Sequence, residues 1–160
     1  MEQMRTKEQV VELSQKVLGL NAHFVEEDIG CFAVVGHLDT PEYAIFDKSF
    51  LDITDEEQEI VLQHELGHIV STQKQLPGHS ALAYYRHFPD YPLLAGYEIA
   101  RAQSETEADL YAANKVGLKK LLRVMDKAMR RQDREVRQRD LKRAWKKQHK
   151  SWLSKPFRRE

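Results

Sequence analysis

The sequence predicts an α+β fold in which a small antiparallel sheet packs on several helices. Apolar residues recur at helical spacing in several segments, which is typical of amphipathic helices. Between residues 31 and 46 this period gives way to short apolar runs rich in β-branched and aromatic residues, which favour strands. After residue 118 the pattern is helical again and strongly basic, which predicts a long basic C-terminal helix.

The N-terminal part should consist of one helix followed by strands. Thr6 is suited to cap the first helix, because its hydroxyl can accept a hydrogen bond from an unpaired backbone N–H, and Gly19 is suited to end it. Residues 31–46 predict a hairpin, since the turn-forming residues 39–42 separate two apolar runs. Phe24 and Val25 suggest a further strand.

The next helix should begin at a capping box. Thr54 and Glu57 have the spacing at which each side chain can bond the other residue's backbone N–H. This helix should run to about Gln73. Residues 74–95 contain three prolines and predict a loop or a broken helix. A third helix is expected over about residues 97–115.

Composition indicates an ordinary soluble globular protein, with 41% hydrophobic and 31% charged residues. No apolar run approaches the roughly 18 residues of a membrane span, and the first residues do not resemble a secretory signal. Cys31 is the single cysteine, so no internal disulfide can form, and we expect a cytoplasmic location. Its small apolar neighbours predict a buried thiol.

The net charge of zero conceals an uneven distribution. Residues 1–118 carry 8 basic and 20 acidic side chains, whereas residues 119–160 carry 17 basic and 5 acidic ones. We therefore expect a domain over residues 1–118 and a basic helical extension over residues 119–160. The extension either docks on the acidic body or is offered to an acidic partner such as nucleic acid.

The pattern His64-Glu65-Leu66-Gly67-His68 carries the clearest chemistry in the chain. Two histidines four residues apart on a helix project from one face, where their rings can bind one Zn²⁺ ion. Glu65 lies beside such an ion and can take a proton from the attacking water as general base. We predict a metallopeptidase site with a single zinc ion; the alternative is an exposed helix with two solvated histidines.

A catalytic zinc site needs a third protein ligand and an open position. Glu105 is the best candidate, on a separate predicted helix, and Asp109 one turn later can orient a ligating histidine. Glu107 is a competing ligand on a different helical face. Taken without the histidine pair, these carboxylates would be read as a solvated acidic face.

Other residues are weaker candidates for the site. His79 follows His68 by 11 residues and is an alternative third ligand, although the spacing differs from that of metzincins. Tyr84, Tyr85 and Tyr97 each offer a hydroxyl that could stabilise an oxyanion or contact substrate. The alternative for each is packing or solvation in a loop.

With these motifs in view, residues 6–117 resemble the ImmA/IrrE family of zinc metallopeptidases. The resemblance is carried by residues 62–70, by Tyr97-Glu98 and by residues 105–113, which match the family's HELGH and E-x-E-A-N-x-F-A blocks. It implies a zincin-like fold, zinc ligands at His64, His68 and Glu105, and Glu65 as general base. It also implies a protein substrate, since family members often cleave a transcriptional repressor of a phage, mobile element or stress response.

The chain departs from the family pattern at two positions of the second block. Asp109 stands where the family usually has Asn, and Tyr111 where it has Phe. The Glu105–Asp109 spacing resembles the E-x-x-x-D arrangement of other gluzincins. The family's Leu-Leu-Met-Pro segment after this block is missing.

Two other functions fit parts of the sequence. A DNA-associated protease similar to the SprT-like enzymes would use the basic extension, including Trp145 and the cations Lys142, Arg143, Lys146 and Lys147, to contact nucleic acid. A non-catalytic binding module would keep zinc for structure alone and would fill the open position with a fourth protein ligand.

Overall fold

The structure is a computed structural model that describes residues 4–26, 31–35, 43–74, 93–128 and 131–153. It is α+β, as predicted, with helices predominating. The helices and strands, in chain order, are α1 (Lys7–Leu18), β1 (Asn21–Val25), β2 (Ala33–Val35), β3 (Tyr43–Asp47), α2 (Asp55–Lys74), α3 (Leu93–Val116), α4 (Leu118–Ala128) and α5 (Arg131–Leu153). A 3₁₀ helix over Lys48–Asp52 joins β3 to α2.

The predicted starts of α1 and α2 are confirmed by their capping hydrogen bonds. Thr6 caps α1 in a reciprocal capping box with Gln9, and Gly19 ends the helix at φ 70°. Thr54 accepts from the Glu57 N–H while Glu57 accepts from the Thr54 N–H, which is the predicted capping box. α3 begins four residues earlier than predicted, at Leu93.

The sheet is mixed, so the expectation of a purely antiparallel sheet is wrong. β2 and β3 form the predicted antiparallel hairpin, but β3 also pairs in parallel with β1, in the order β1-β3-β2. The chain reverses direction between β1 and β2 and again between β2 and β3. β1 and β3 therefore run the same way, and β3 lies between its two neighbours.

Cys31 also differs from the prediction, because it is exposed. The chain bends at residues 31 and 32, and β2 begins only at Ala33. The alternation that buries Ala33 and Val35 therefore does not extend back to the cysteine.

α2 lies between two apolar clusters. The first joins α1, the sheet and α2, and it contains Val10, Leu18, Ala33, Val35, Ala44, Phe46, Phe50, Ile53 and Leu62. The second joins α2 to the three C-terminal helices, through Ile60, Ala112, Ala113, Leu121, Val124, Met125 and Leu141. Residues from both sides of the predicted boundary at residue 118 thus share one cluster. Among the described helices, none is long and apolar enough to cross a membrane.

Candidate metal centre

His64 and His68 face each other on one side of α2. Their spacing of four residues places the second ring one turn after the first, and the two Nε2 atoms lie 3.1 Å apart. The rings meet edge to face with an interplanar angle of 86°. Both imidazoles thus direct the same nitrogen towards a shared point.

Glu105 on α3 reaches the same point from the opposite helix. Its Oε2 atom lies 3.5 Å from Nε2 of His64, and its Oε1 atom lies 3.7 Å from Nε2 of His68. One ligand atom from each of the three residues lies within 4.8 Å of the others. Ligands at 2.0–2.1 Å from a tetrahedral zinc ion would stand about 3.3 Å apart, so the donor set fits that ion.

Gly67 allows the two helices to approach closely at this point. A Cβ atom at this position would lie 2.7 Å from the Ala108 Cα atom and 2.8 Å from its carbonyl oxygen. Any larger residue would therefore separate α2 from α3. Ala108 lies one turn from Glu105, so this contact sets the distance between the histidines and the third candidate ligand.

Glu65 is buried against the edge of the sheet. Its Oε2 atom accepts a hydrogen bond of 3.0 Å from the Val35 N–H of β2, and its Oε1 atom lies 4.0 Å from Nε2 of His64. Burial raises the pKa of Glu65 to about 7, against the opposing effects of His64 and the Val35 N–H. In the metal-free site, this carboxyl group can therefore both take and return a proton near neutral pH.

Asp109 is fully buried behind His64. Its Oδ1 atom lies 2.9 Å from Nδ1 of His64, which is the contact expected for a carboxylate that orients a ligating histidine. Burial acts to raise the pKa of Asp109, but the hydrogen bond and charge of His64 and the Arg137 guanidinium hold it below its ordinary value. Asp109 therefore stays ionised and favours the Nδ1–H form of His64, with Nε2 directed at the metal position.

The Ser104 hydroxyl contacts His68 as the Asp109 carboxylate contacts His64. Its hydroxyl lies 3.1 Å from Nδ1 of His68, on the ring edge away from the metal position. Ser104 is not among the residues predicted from the sequence. Its position directly before Glu105, on a helix expected to face the histidines, was the available signal.

Arg137 on α5 is the unexpected member of the site. Its Nε and Nη2 atoms lie 2.6 and 2.9 Å from the two carboxylate oxygens of Asp109, and its Nη1 atom lies 2.8 Å from Oε2 of Glu105. Burial acts to raise the pKa of Glu105, but the hydrogen bond to His64 and the charge of Arg137 outweigh it, and this pKa lies well below its ordinary value. Arg137 is followed at helical spacing by Leu141 and Trp145, a periodicity that could have identified it as an inward-facing cation.

Of the remaining predicted residues, only Glu107 has a described side chain. Glu107 is exposed and hydrogen-bonds Ser71, away from the three candidate ligands. His79, Tyr84 and Tyr85 lie outside the described residues. Tyr97 belongs to α3, but its side chain is not among those described.

No family model, curated protein or solved structure matches the chain.

Proposed function

We propose that the chain is a zinc-dependent endopeptidase with its catalytic centre between α2 and α3. The observation that carries this proposal is the convergence of two imidazoles and one carboxylate on a single point, with a second, buried carboxyl group beside it. Two His and one Glu ligand with an open fourth position is a donor set of catalytic rather than structural zinc sites. His64, His68 and Glu105 would hold the ion.

Glu65 would carry the proton transfers. Zinc, when bound, polarises the scissile carbonyl and makes a nearby water a better nucleophile at neutral pH. Glu65 takes a proton from the attacking water and returns it to the leaving amine. The hydrogen bond from the Val35 N–H fixes the other oxygen of Glu65, so one oxygen remains directed at the site.

An extended peptide is the substrate that the surroundings favour. Among the described strands, β2 lies at one edge of the sheet, and its Val35 N–H donates a hydrogen bond to Glu65. An added strand beside β2 would pass directly next to the general base. From the family that the motifs resemble, we infer a protein substrate, such as a transcriptional repressor of a phage or mobile element.

The basic C-terminal helices suggest a second candidate partner, a nucleic acid. Lys120 and Lys127 of α4 contact Glu56 and Glu57 of α2, which is consistent with docking of the basic segment on the acidic body. Further along α5, however, the basic side chains face solvent, namely Lys142, Arg143, Lys146 and Lys147. A nucleic acid bound there would make the chain a DNA-associated protease, and cleavage stimulated by DNA in a salt-dependent manner would favour that alternative.

A structural zinc module would need a fourth protein ligand. Within the described part of the chain, the group of candidate ligands contains three residues. X-ray absorption of the zinc-loaded protein would decide between the alternatives. A fourth ligand from the protein favours the structural module, and a water ligand favours the enzyme.

The function is tested with Glu65→Gln in the full-length protein. We expect this variant to retain one zinc ion per chain by elemental analysis and to lose cleavage of repressors encoded beside the gene. Glu59→Gln is the matched control, because Glu59 is an exposed residue of the same helix that pairs with Arg5. Cleavage by the zinc-loaded Glu65→Gln protein at the rate of the wild type would refute the proposal.

A further inference from the structure

The guanidinium of Arg137 connects two carboxylates that have different parts in the site. Its Nε and Nη2 atoms donate to Asp109, and its Nη1 atom forms an ion pair with Glu105. Charge-assisted bonds of this forked kind are the strong and directional ones among protein hydrogen bonds. Arg137 therefore fixes the position of Glu105 relative to Asp109, although both residues already share α3.

Arg137 also lies over the ring of His64. Its Nη2 atom is 3.3 Å from Nδ1 and 3.1 Å from Nε2 of that ring. An atom nearly equidistant from both ring nitrogens cannot lie along the lone pair of either, so the guanidinium covers the ring face, as arginine does with planar groups. The lone pair of Nε2 therefore stays available to a metal.

The helix that carries Arg137 is firmly anchored. Leu141, one turn further along α5, is completely buried in the cluster shared by α2, α3 and α4. The position of the guanidinium is thus determined by core packing, and not by the ion pairs alone. This distinguishes Arg137 from Arg143, which is exposed on the same helix.

We propose that Arg137 is a positioning residue of the metal centre, which makes the basic C-terminal helix a part of the site. This inference rests on the proposed metal site, because it assigns Arg137 the task of holding Glu105 and Asp109 in their ligand and orienting positions. A purely electrostatic role and a positioning role of Arg137 predict opposite changes in metal affinity when its side chain is removed. Loss of a positive charge beside a cation site would strengthen metal binding, whereas loss of the positioning contacts would weaken it.

The test is titration of the metal-free, full-length protein with Co²⁺, whose visible absorption reports both affinity and coordination geometry. For Arg137→Met we expect affinity to fall by about 10–100-fold, the usual cost of losing a partner of the ligands, with a changed spectrum. Arg137→Lys should also bind more weakly than the wild type, because an ammonium cannot bridge two carboxylates as the fork does. Equal or tighter binding by Arg137→Met, or wild-type binding by Arg137→Lys, would overturn the proposal.

Arg134→Met provides the matched control. Arg134 lies on the same helix and contacts Asp126 instead of the site, so its removal takes away a similar side chain and charge. We expect it to bind Co²⁺ like the wild type, and an equal loss would show a general effect of α5 and overturn the positioning role. If the wild type itself gives no Co²⁺ spectrum, the proposed function fails as well. If the wild type binds Co²⁺ and Arg137→Met binds it equally well, the positioning role of Arg137 is refuted and the proposed function is not.

Discussion

Gly67 and Ala108 bring α2 and α3 together more closely than any other residue at position 67 would allow. A Cβ atom on Gly67 would lie 2.7 Å from the Cα atom of Ala108, a separation that real Cβ atoms essentially never show. The obstacle is backbone, which cannot rotate away as a side chain can. The close contact between the two helices, on which the proposed metal site depends, therefore requires glycine at this position.

Gly67→Ala should destabilise the protein, although alanine normally stabilises a helix interior by roughly 1 kcal/mol relative to glycine. We expect a net loss of about 1–3 kcal/mol, the usual cost of overpacking, measured by urea denaturation of the metal-free protein. Zinc affinity should fall too, because in this variant α3 would be displaced from α2 and would move Glu105 away from the histidines. A variant as stable as the wild type would show that the helices can separate without cost.

The placement of the two histidines and of the carboxylate between them could be predicted from the sequence because it depends on local geometry. His64, Glu65 and His68 are placed by the period of one helix, and Thr6 and Thr54 by hydrogen bonds to residues three positions away. The hairpin is likewise local. Glu105 was found only because a known kind of site requires a third ligand.

The parallel pairing of β1 with β3 and the role of Arg137 could not be predicted in this way. β1 and β3 pair although β2 lies between them in the chain, so local turn chemistry does not specify which strand becomes the neighbour. Arg137 is one of 17 basic residues after position 118, and charge does not tell which of them faces inward. The spacing of Arg137 from Leu141 and Trp145 indicates an inward-facing position, but the groups that it meets there depend on tertiary packing.

Zinc affinity should depend on pH through His64. Burial acts to lower the pKa of His64, but its hydrogen bonds to Asp109 and Glu105 raise it to about 9 in the metal-free protein. Zinc binds the neutral ring, so a proton competes with the metal below that pH. We expect the apparent affinity, measured by chelator competition, to rise about tenfold per pH unit up to pH 9 and then to level off.

Asp109→Asn should move this levelling point to lower pH. An amide cannot stabilise the imidazolium as the carboxylate does, so the pKa of His64 should fall towards its ordinary value. Glu107→Gln is the control, since Glu107 lies on the same helix but contacts Ser71. An affinity profile that is flat between pH 7 and 9 in the wild type would contradict the assignment of His64 as a protonated residue in the metal-free site.

Ser104→Ala should weaken zinc binding through His68. The hydroxyl is the partner found at Nδ1 of that ring, and loss of such a partner typically lowers metal affinity by about 10-fold or more. Thr106→Ala removes another hydroxyl of α3, which bonds the Ala102 carbonyl of its own helix. If both variants bind zinc equally well, the Ser104 contact does not orient His68.

Leu141→Ala tests whether the basic helix is part of the folded core. Leu141 is fully buried among residues of α2, α3 and α4, so truncation should cost about 2–5 kcal/mol in urea denaturation of the metal-free protein. Val136→Ala is the matched control, because Val136 lies on the same helix and is 50% exposed; it should change stability by at most about 0.5 kcal/mol. Equal stability of the two variants would mean that α5 does not contribute to the core. Because Arg137 lies one turn from Leu141, the truncated variant should also gain less stability from a fixed excess of zinc than the wild type does.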